Sequence, residues 1–151
     1  MTAKGGCKYP FRKIDGGKGD VHCDPVIAVK MRSDLENKFP DEPTEFIFDS
    51  GSNITVISWM EAARLGLDLN GDTWKPIQIE GVGGKIPALL RDVQLKINSF
   101  PPIVIRVHVS KEIPSDWRIL GLEGIIDAFT IILHDYHTYV FLREDVEQQQ
   151  I

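Results

Sequence analysis

The stretch Phe46-Ile47-Phe48-Asp49-Ser50-Gly51-Ser52-Asn53-Ile54-Thr55-Val56-Ile57 decides how the rest of the chain is read. An apolar strand runs into a carboxylate, turns through Ser-Gly-Ser and resumes as a second apolar strand. A carboxylate at the end of a buried strand is costly to desolvate unless it is hydrogen-bonded, paired or used, so its position asks for a chemical reason. Ser50 offers a hydroxyl for local bonding, and Gly51, lacking a Cβ, lets other backbone approach closely.

Outward from this stretch, short apolar runs predict strands over residues 26–31, 45–49, 77–82, 86–97 and 103–109. The clearest are those in which Val93, Leu95 and Ile97, and then Ile103, Ile105, Val107 and Val109, recur at every second position, the spacing of a strand with one buried face. Two short helices interrupt them. Ser58 and Glu61 have capping-box spacing, with Gly66 as the stop, which predicts a helix over 59–65. A second is expected from residue 122 or 123 to about 129, followed by a hairpin of 130–133 and 138–142 around His134-Asp135-Tyr136-His137. Residues 1–24, rich in Gly and Lys and without a sustained period, read as an irregular N-terminal arm. The folded domain spans 25–143, and 144–151 form a frayed tail. Many short strands with Gly/Pro turns and one or two small helices predict a mostly β protein, a closed barrel or folded-over sheet.

The 151 residues suit one globular domain. Seventeen Lys and Arg against 22 Asp and Glu give a net charge of −5, and the basic residues are scattered apart from a modest cluster at Lys4, Lys8, Arg12, Lys13 and Lys18, so nucleic-acid binding is not expected. No apolar run approaches the ~20 residues that span a bilayer, and Met1 leads into no apolar stretch that could serve as a signal peptide, so no membrane association and a cytoplasmic location are expected. Cys7 and Cys23 form no CxxC pair, which points to free thiols rather than a zinc site or disulfide framework.

The central stretch resembles the retropepsin-like aspartic proteases, including the soluble retroviral-type proteases of cellular organisms. The family pattern is two apolar residues, Asp, Thr or Ser, Gly, Ala or Ser, two variable residues and Thr-Val-Ile, and residues 47–57 follow it throughout. Ile79-Glu80-Gly81-Val82-Gly83-Gly84-Lys85 is similar to the family's glycine-rich flap, and Ile119-Leu120-Gly121, followed by a short helix, to its apolar-apolar-Gly segment. The resemblance runs from about Pro25 to Leu142 and implies an acid-protease-like barrel with a flap hairpin. Two departures stand out: Ser50 replaces the commoner Thr, and Leu122-Glu123-Gly124 follows Gly121 where an Arg or Asn and an Asp are frequent.

The resemblance implies an aspartic endopeptidase with Asp49 as its catalytic carboxylate and no cofactor. Ser50, Gly51, Ser52 and Thr55 would support the active-site loop, Gly81, Val82, Gly83 and Gly84 would form the substrate-binding flap, and Ile119, Leu120 and Gly121 would wall the pocket. Aspartic proteolysis needs two carboxylates sharing one proton. The chain has one strand-borne Asp-Ser-Gly, since Asp15-Gly16-Gly17 lacks apolar flanks, so the second carboxylate must come from an identical chain. The expected partners are therefore a second copy and an extended peptide. The alternative is a proteolytically silent dimerisation or peptide-binding module on the same barrel.

Other features have plainer readings. His134 and His137 read as turn histidines rather than metal ligands, and His22 and His108 stand beside no nucleophile motif. Asn53-Ile54-Thr55 formally matches a glycosylation acceptor that would be idle without secretion. Trp59, Trp74 and Trp117 are too widely spaced to predict a stacked surface, and Asp127 reads as a surface or capping residue.

Overall fold

The computed structural model describes residues 5–15, 21–71, 74–78 and 84–144. The first strands are β1 (Cys7–Pro10), β2 (Arg12–Asp15), β3 (Val21–Asp24), β4 (Val26–Arg32), β5 (Thr44–Phe48) and β6 (Thr55–Ser58), which leads into α1 (Trp59–Arg64). There follow β7 (Trp74–Gln78), β8 (Lys85–Ile97), β9 (Ile103–Ser110) and β10 (Arg118–Leu120), then α2 (Ile125–Ala128) and the pair β11 (Phe129–His134) and β12 (His137–Leu142).

The main sheet runs β4-β5-β10-β6-β9-β8-β7, and a further pairing of β4 with β8 closes six of these strands into a mixed barrel. The 13-residue β8 makes closure possible. Its first residues pair with β7, its middle with β9 and its last, Gln94 to Ile97, with β4. The strand β7 is thus held outside the barrel on the far end of β8. Two pairings are parallel, β5 with β10 and β6 with β9.

Period-two patterning explains which face is filled. Val93, Leu95 and Ile97 of β8 and Ile105, Val107 and Val109 of β9 point into the main core with Phe46, Ile57, Leu120, Ile125 and Phe129. Burial of one such side chain is worth roughly 1.5–3 kcal/mol. The opposite faces of β6, β7 and β8 supply a second, smaller cluster of Val56, Ile77, Ile86 and Ala88 with Ile113, against which Ile54, Trp117 and Ile119 pack.

Several expectations are corrected. The arm read as irregular contains three strands: β1 pairs antiparallel with β12, and β2 with β3. In β1 the half-buried Cys7 and Tyr9 alternate with exposed Lys8 and Pro10, and four residues are too short to register as a period without the partner strand that holds them. In α1, Ser58 does accept from the Glu61 amide, but the Glu61 side chain turns away from Ser58 and pairs with Arg64 and Arg118, a stronger interaction than the expected return bond. Trp59 and Trp74 stack, with ring centroids 6.0 Å apart and planes 8° from parallel, and the Lys111 ammonium lies 4.4 Å over the Trp59 ring. Sequence distance concealed this contact, because the barrel brings the start of α1 beside the start of β7.

The second helix is shorter than expected, four residues preceded by Gly124 at φ 81°, and Phe129 already belongs to β11. Asp135 and Tyr136 both take positive φ, 49° and 58°, between the paired His134 and His137, the mark of a two-residue hairpin turn. Asp127 is exposed in the first turn of α2. Cys7 and Cys23 are free, half-buried thiols. No helix among the described residues is long and apolar enough to cross a membrane.

Candidate active site

Strand β5 sends Phe48 into the core and leaves Asp49 exposed at its end. The chain does not return beside β5 as a hairpin. Instead β10 lies between β5 and β6, with Ile119 and Leu120 opposite Ile47 and Phe48 on one side and Arg118 and Ile119 opposite Ile57 and Val56 on the other. The Asp49 loop therefore straddles the end of β10.

Four hydrogen bonds stitch the two segments together. The Asp49 amide donates to the Leu120 carbonyl at 3.0 Å, and the Leu122 and Glu123 amides donate to the Ser52 and Asn53 carbonyls, each at 2.9 Å. The Gly121 amide donates to the Thr55 hydroxyl at 3.1 Å. Gly121 is required by this closeness, since a Cβ there would lie 2.2 Å from the Ile54 carbonyl oxygen. Within the loop, the Gly51 amide donates to Asp49 Oδ1 at 2.9 Å and the Ser52 amide to the Asp49 carbonyl at 3.1 Å. The Ser52 hydroxyl donates to the Ile54 carbonyl at 2.9 Å. These bonds fix one oxygen of the exposed Asp49 carboxylate by a backbone donor.

Asp49 opens onto a cleft of about 530 Å³. Of the loop residues read from the sequence, Gly51 and Ser52 line it with Asp49, Ser50 is exposed, and Thr55 is buried and serves as the anchor for Gly121. The expected pocket wall divides. Ile119 lines the cleft, whereas Leu120 is fully buried in the main core and Gly121 packs on Ile54 backbone. Strand alternation is the reason: Ile119 faces the cleft side and its neighbour must face inward. Gly84 has φ 70° at the start of β8, and Gly81, Val82 and Gly83 lie outside the described residues. Asn53, Ile54, Val56 and Gln78 also line the cleft. Gln78 is the exposed last residue of β7, next to the buried Ile77.

Behind the loop, an ionic cluster joins α1 to β10. Glu61, only 4% exposed, pairs with Arg64 of its own helix and with Arg118 Nη2 at 3.3 Å. Burial alone would push its carboxyl up, but hydrogen bonds and charge from Arg64 and Arg118 together outweigh this and hold it below the usual carboxylate range. Ser58, the cap of α1, also donates to the Ser115 carbonyl at 3.1 Å, tying the helix start to the approach to β10.

The sequence profile of the family described as aspartyl protease matches residues 35–123, more than half of the chain and the whole of the stitched region. The chain belongs to the aspartyl protease family. The fold of this aspartyl protease family member is retropepsin-like. It is similar to a retropepsin-like aspartic protease from Rickettsia conorii, with a TM-score of 0.54 and 15% identity, covering 87% of this chain and 95% of that one. It also matches EIAV protease complexed with the inhibitor HBY-793, with a TM-score of 0.46 and 23% identity over 72% of this chain and 88% of that one. Among curated proteins no relative matches the chain.

Two predictions follow from the stitched loops of this family member. Gly121→Ala costs at least the ~1–3 kcal/mol typical of overpacking, because the new Cβ meets backbone that cannot swing aside. A urea midpoint equal to that of the native chain would contradict the packing described. Glu61→Gln lowers stability near neutral pH by about 1.5–3 kcal/mol, the worth of hydrogen bonds to a charged group. Because the folded-state carboxyl sits below its ordinary value of 4.5, its stabilisation is complete above that value and is lost as pH falls through the lower folded-state value. Thermal unfolding followed from pH 6 downward therefore steepens below about 4.5 in the native chain and less so in the variant. Parallel pH curves would contradict the pairing.

Proposed function

We propose that this protein is an aspartic endopeptidase whose catalytic pair is Asp49 from two identical chains. The single observation that carries the reading is an exposed carboxylate, on the one strand-borne Asp-Ser-Gly of the chain, opening onto a cleft with its loop held rigidly by β10. Membership of the aspartyl protease family supports it.

Two carboxylates about 3 Å apart cannot both ionise comfortably and hold one proton between them. The ionised Asp49 takes a proton from a water as that water attacks the scissile carbonyl carbon. The protonated Asp49 of the second chain donates to the carbonyl oxygen. The tetrahedral diol then collapses and the C–N bond breaks: the carboxyl that took the water's proton gives it to the leaving nitrogen, and the other carboxylate recovers a proton from a diol hydroxyl as the carboxyl product forms. In this reading the Ser50 hydroxyls bond across the two-fold axis and the Gly51 carbonyl meets substrate backbone. Substrate binds as an extended strand, with alternate side chains directed to apolar subsites that include Ile54, Val56 and Ile119. The glycine-rich sequence of residues 81–84 supports reading that segment as the one that meets substrate.

The test is cleavage of an unstructured protein at mildly acidic and neutral pH by the native chain and by Asp49→Asn. The variant loses about 10³-fold or more of the rate, the scale on which removing one member of a catalytic unit acts. Equal cleavage by both chains would remove Asp49 from the mechanism. Absence of cleavage by the native chain under every condition would favour the silent peptide-binding module.

A further inference from the structure

Strand pairing sets two lysines against each other on the outside of the barrel. Lys30 of β4 and Lys96 of β8 are direct partners in the pairing that closes it. Their neighbours Val29, Met31, Leu95 and Ile97 are buried in the main core, so alternation turns both lysines to the opposite face. Side chains placed this way have Cβ atoms about 4.5–5.5 Å apart, and like charges there oppose folding.

Nothing in the chain relieves the pair. Among the described residues neither lysine forms an ion pair. Glu45 of β5, opposite Ala28, lies two positions along the same face and makes none with either. The next outward pair shows the contrast. Arg32 and Gln94 are also direct partners, but Arg32 donates to the Ser33 and Glu36 carbonyls and Gln94 to the Asp34 carboxylate at 3.2 Å.

Both lysines are half-buried, and both line a cavity of about 390 Å³. No carboxylate is among the described residues that line it. Tyr9 of β1, Ala28 and Pro43 give it an apolar side, while Asn98 and Ser99, just past the end of β8, add side-chain donors. The Tyr9 hydroxyl accepts from the Cys7 thiol at 3.5 Å and so keeps its own hydrogen to donate. The cavity is separate from the Asp49 cleft, since Pro43 precedes the start of β5 and Asp49 follows its end.

We propose that this cavity is a second binding site, one that takes a dianionic phosphate group, free or carried on a small molecule. One phosphate dianion balances both ammoniums, whereas one carboxylate balances only one, and lysine meets phosphate as a point charge. Tyr9, Asn98 and Ser99 supply hydrogen bonds to its oxygens. The volume falls within the range of about 300–1,000 Å³ usual for small-molecule pockets, which leaves room for a body packed on Tyr9, Ala28 and Pro43. Binding turns the repulsion between the lysines into two attractions and so stabilises the folded chain. The inference stands on the fold and makes no use of the protease reading.

The experiment titrates the native chain, Lys30→Gln and Lys96→Gln with inorganic phosphate and with phenyl phosphate, near neutral pH and at constant low ionic strength, following backbone amides by NMR. In the native chain the amides of Lys30, Lys96, Asn98 and Ser99 shift saturably, and either substitution weakens binding about 10-fold or more, the loss expected for one hydrogen bond to a charged group. Tighter binding of phenyl phosphate supports a phosphate carried on a small molecule, and tighter binding of inorganic phosphate supports the free ion. Urea unfolding supplies an independent readout. Without phosphate each variant has a midpoint equal to or above that of the native chain, because the repulsion is gone, and with saturating phosphate the native chain overtakes both. Absence of saturable shifts in the native chain, equal affinity in the variants, or variants less stable than the native chain without phosphate would overturn the inference.

Discussion

The close approach of Gly121 to the Ile54 backbone is the constraint on which the rest of the site depends. Two chain segments that carry polar groups along their whole length are brought together with no side chain between them, and each buried amide must then find an acceptor on the other. They do so through the bonds of Asp49, Leu122, Glu123 and Gly121 to Leu120, Ser52, Asn53 and Thr55. The resulting loop is held as firmly as a strand, although Asp49 to Ile54 contain no regular structure. An active-site carboxylate gains from this, because the energy of ordering the loop is met by the fold before any substrate arrives.

The supporting layers all act on the same strand. β10 is only three residues long and could not persist alone, yet it is gripped by β5 and β6 along its edges, by Leu120 in the core, and by Arg118 on Glu61. Glu61 belongs to the helix that begins where β6 ends, so the ionic cluster ties the exit of the Asp49 loop to the entry of the Gly121 segment. The Trp59–Trp74 stack extends the same helix toward β7, the outer strand whose last residue, Gln78, reaches the cleft.

Much of this was legible in the residues. The alternation of Val93, Leu95 and Ile97 and of Ile105, Val107 and Val109 marks the long central strands because both bury one face in the same core. Asp49-Ser50-Gly51-Ser52 and Ile119-Leu120-Gly121 could be recognised as partners through their family resemblance, but their spacing alone does not say that β10 inserts between β5 and β6. Parallel pairing of Ile119 with Ile47, 72 residues apart, leaves no local pattern. The motif read as a unit sets Leu120 on the pocket wall with Ile119, whereas strand alternation sends only Ile119 to the cleft and Leu120 to the core. The strands of the N-terminal segment were hidden because Cys7 and Tyr9 show their inward face only against β12. Glu61 looked like a capping residue, since nothing nearby in sequence announces Arg118.

The sequence holds one strand-borne Asp-Ser-Gly, and Asp49 and Ser50 of its loop are exposed. The account therefore depends on a site completed by a second copy. The most direct measurement is specific activity at fixed substrate as the protein is diluted, with the oligomeric state followed by sedimentation over the same range. The account predicts that specific activity falls in step with the fraction of dimer. A monomer that retains full specific activity at high dilution would contradict it.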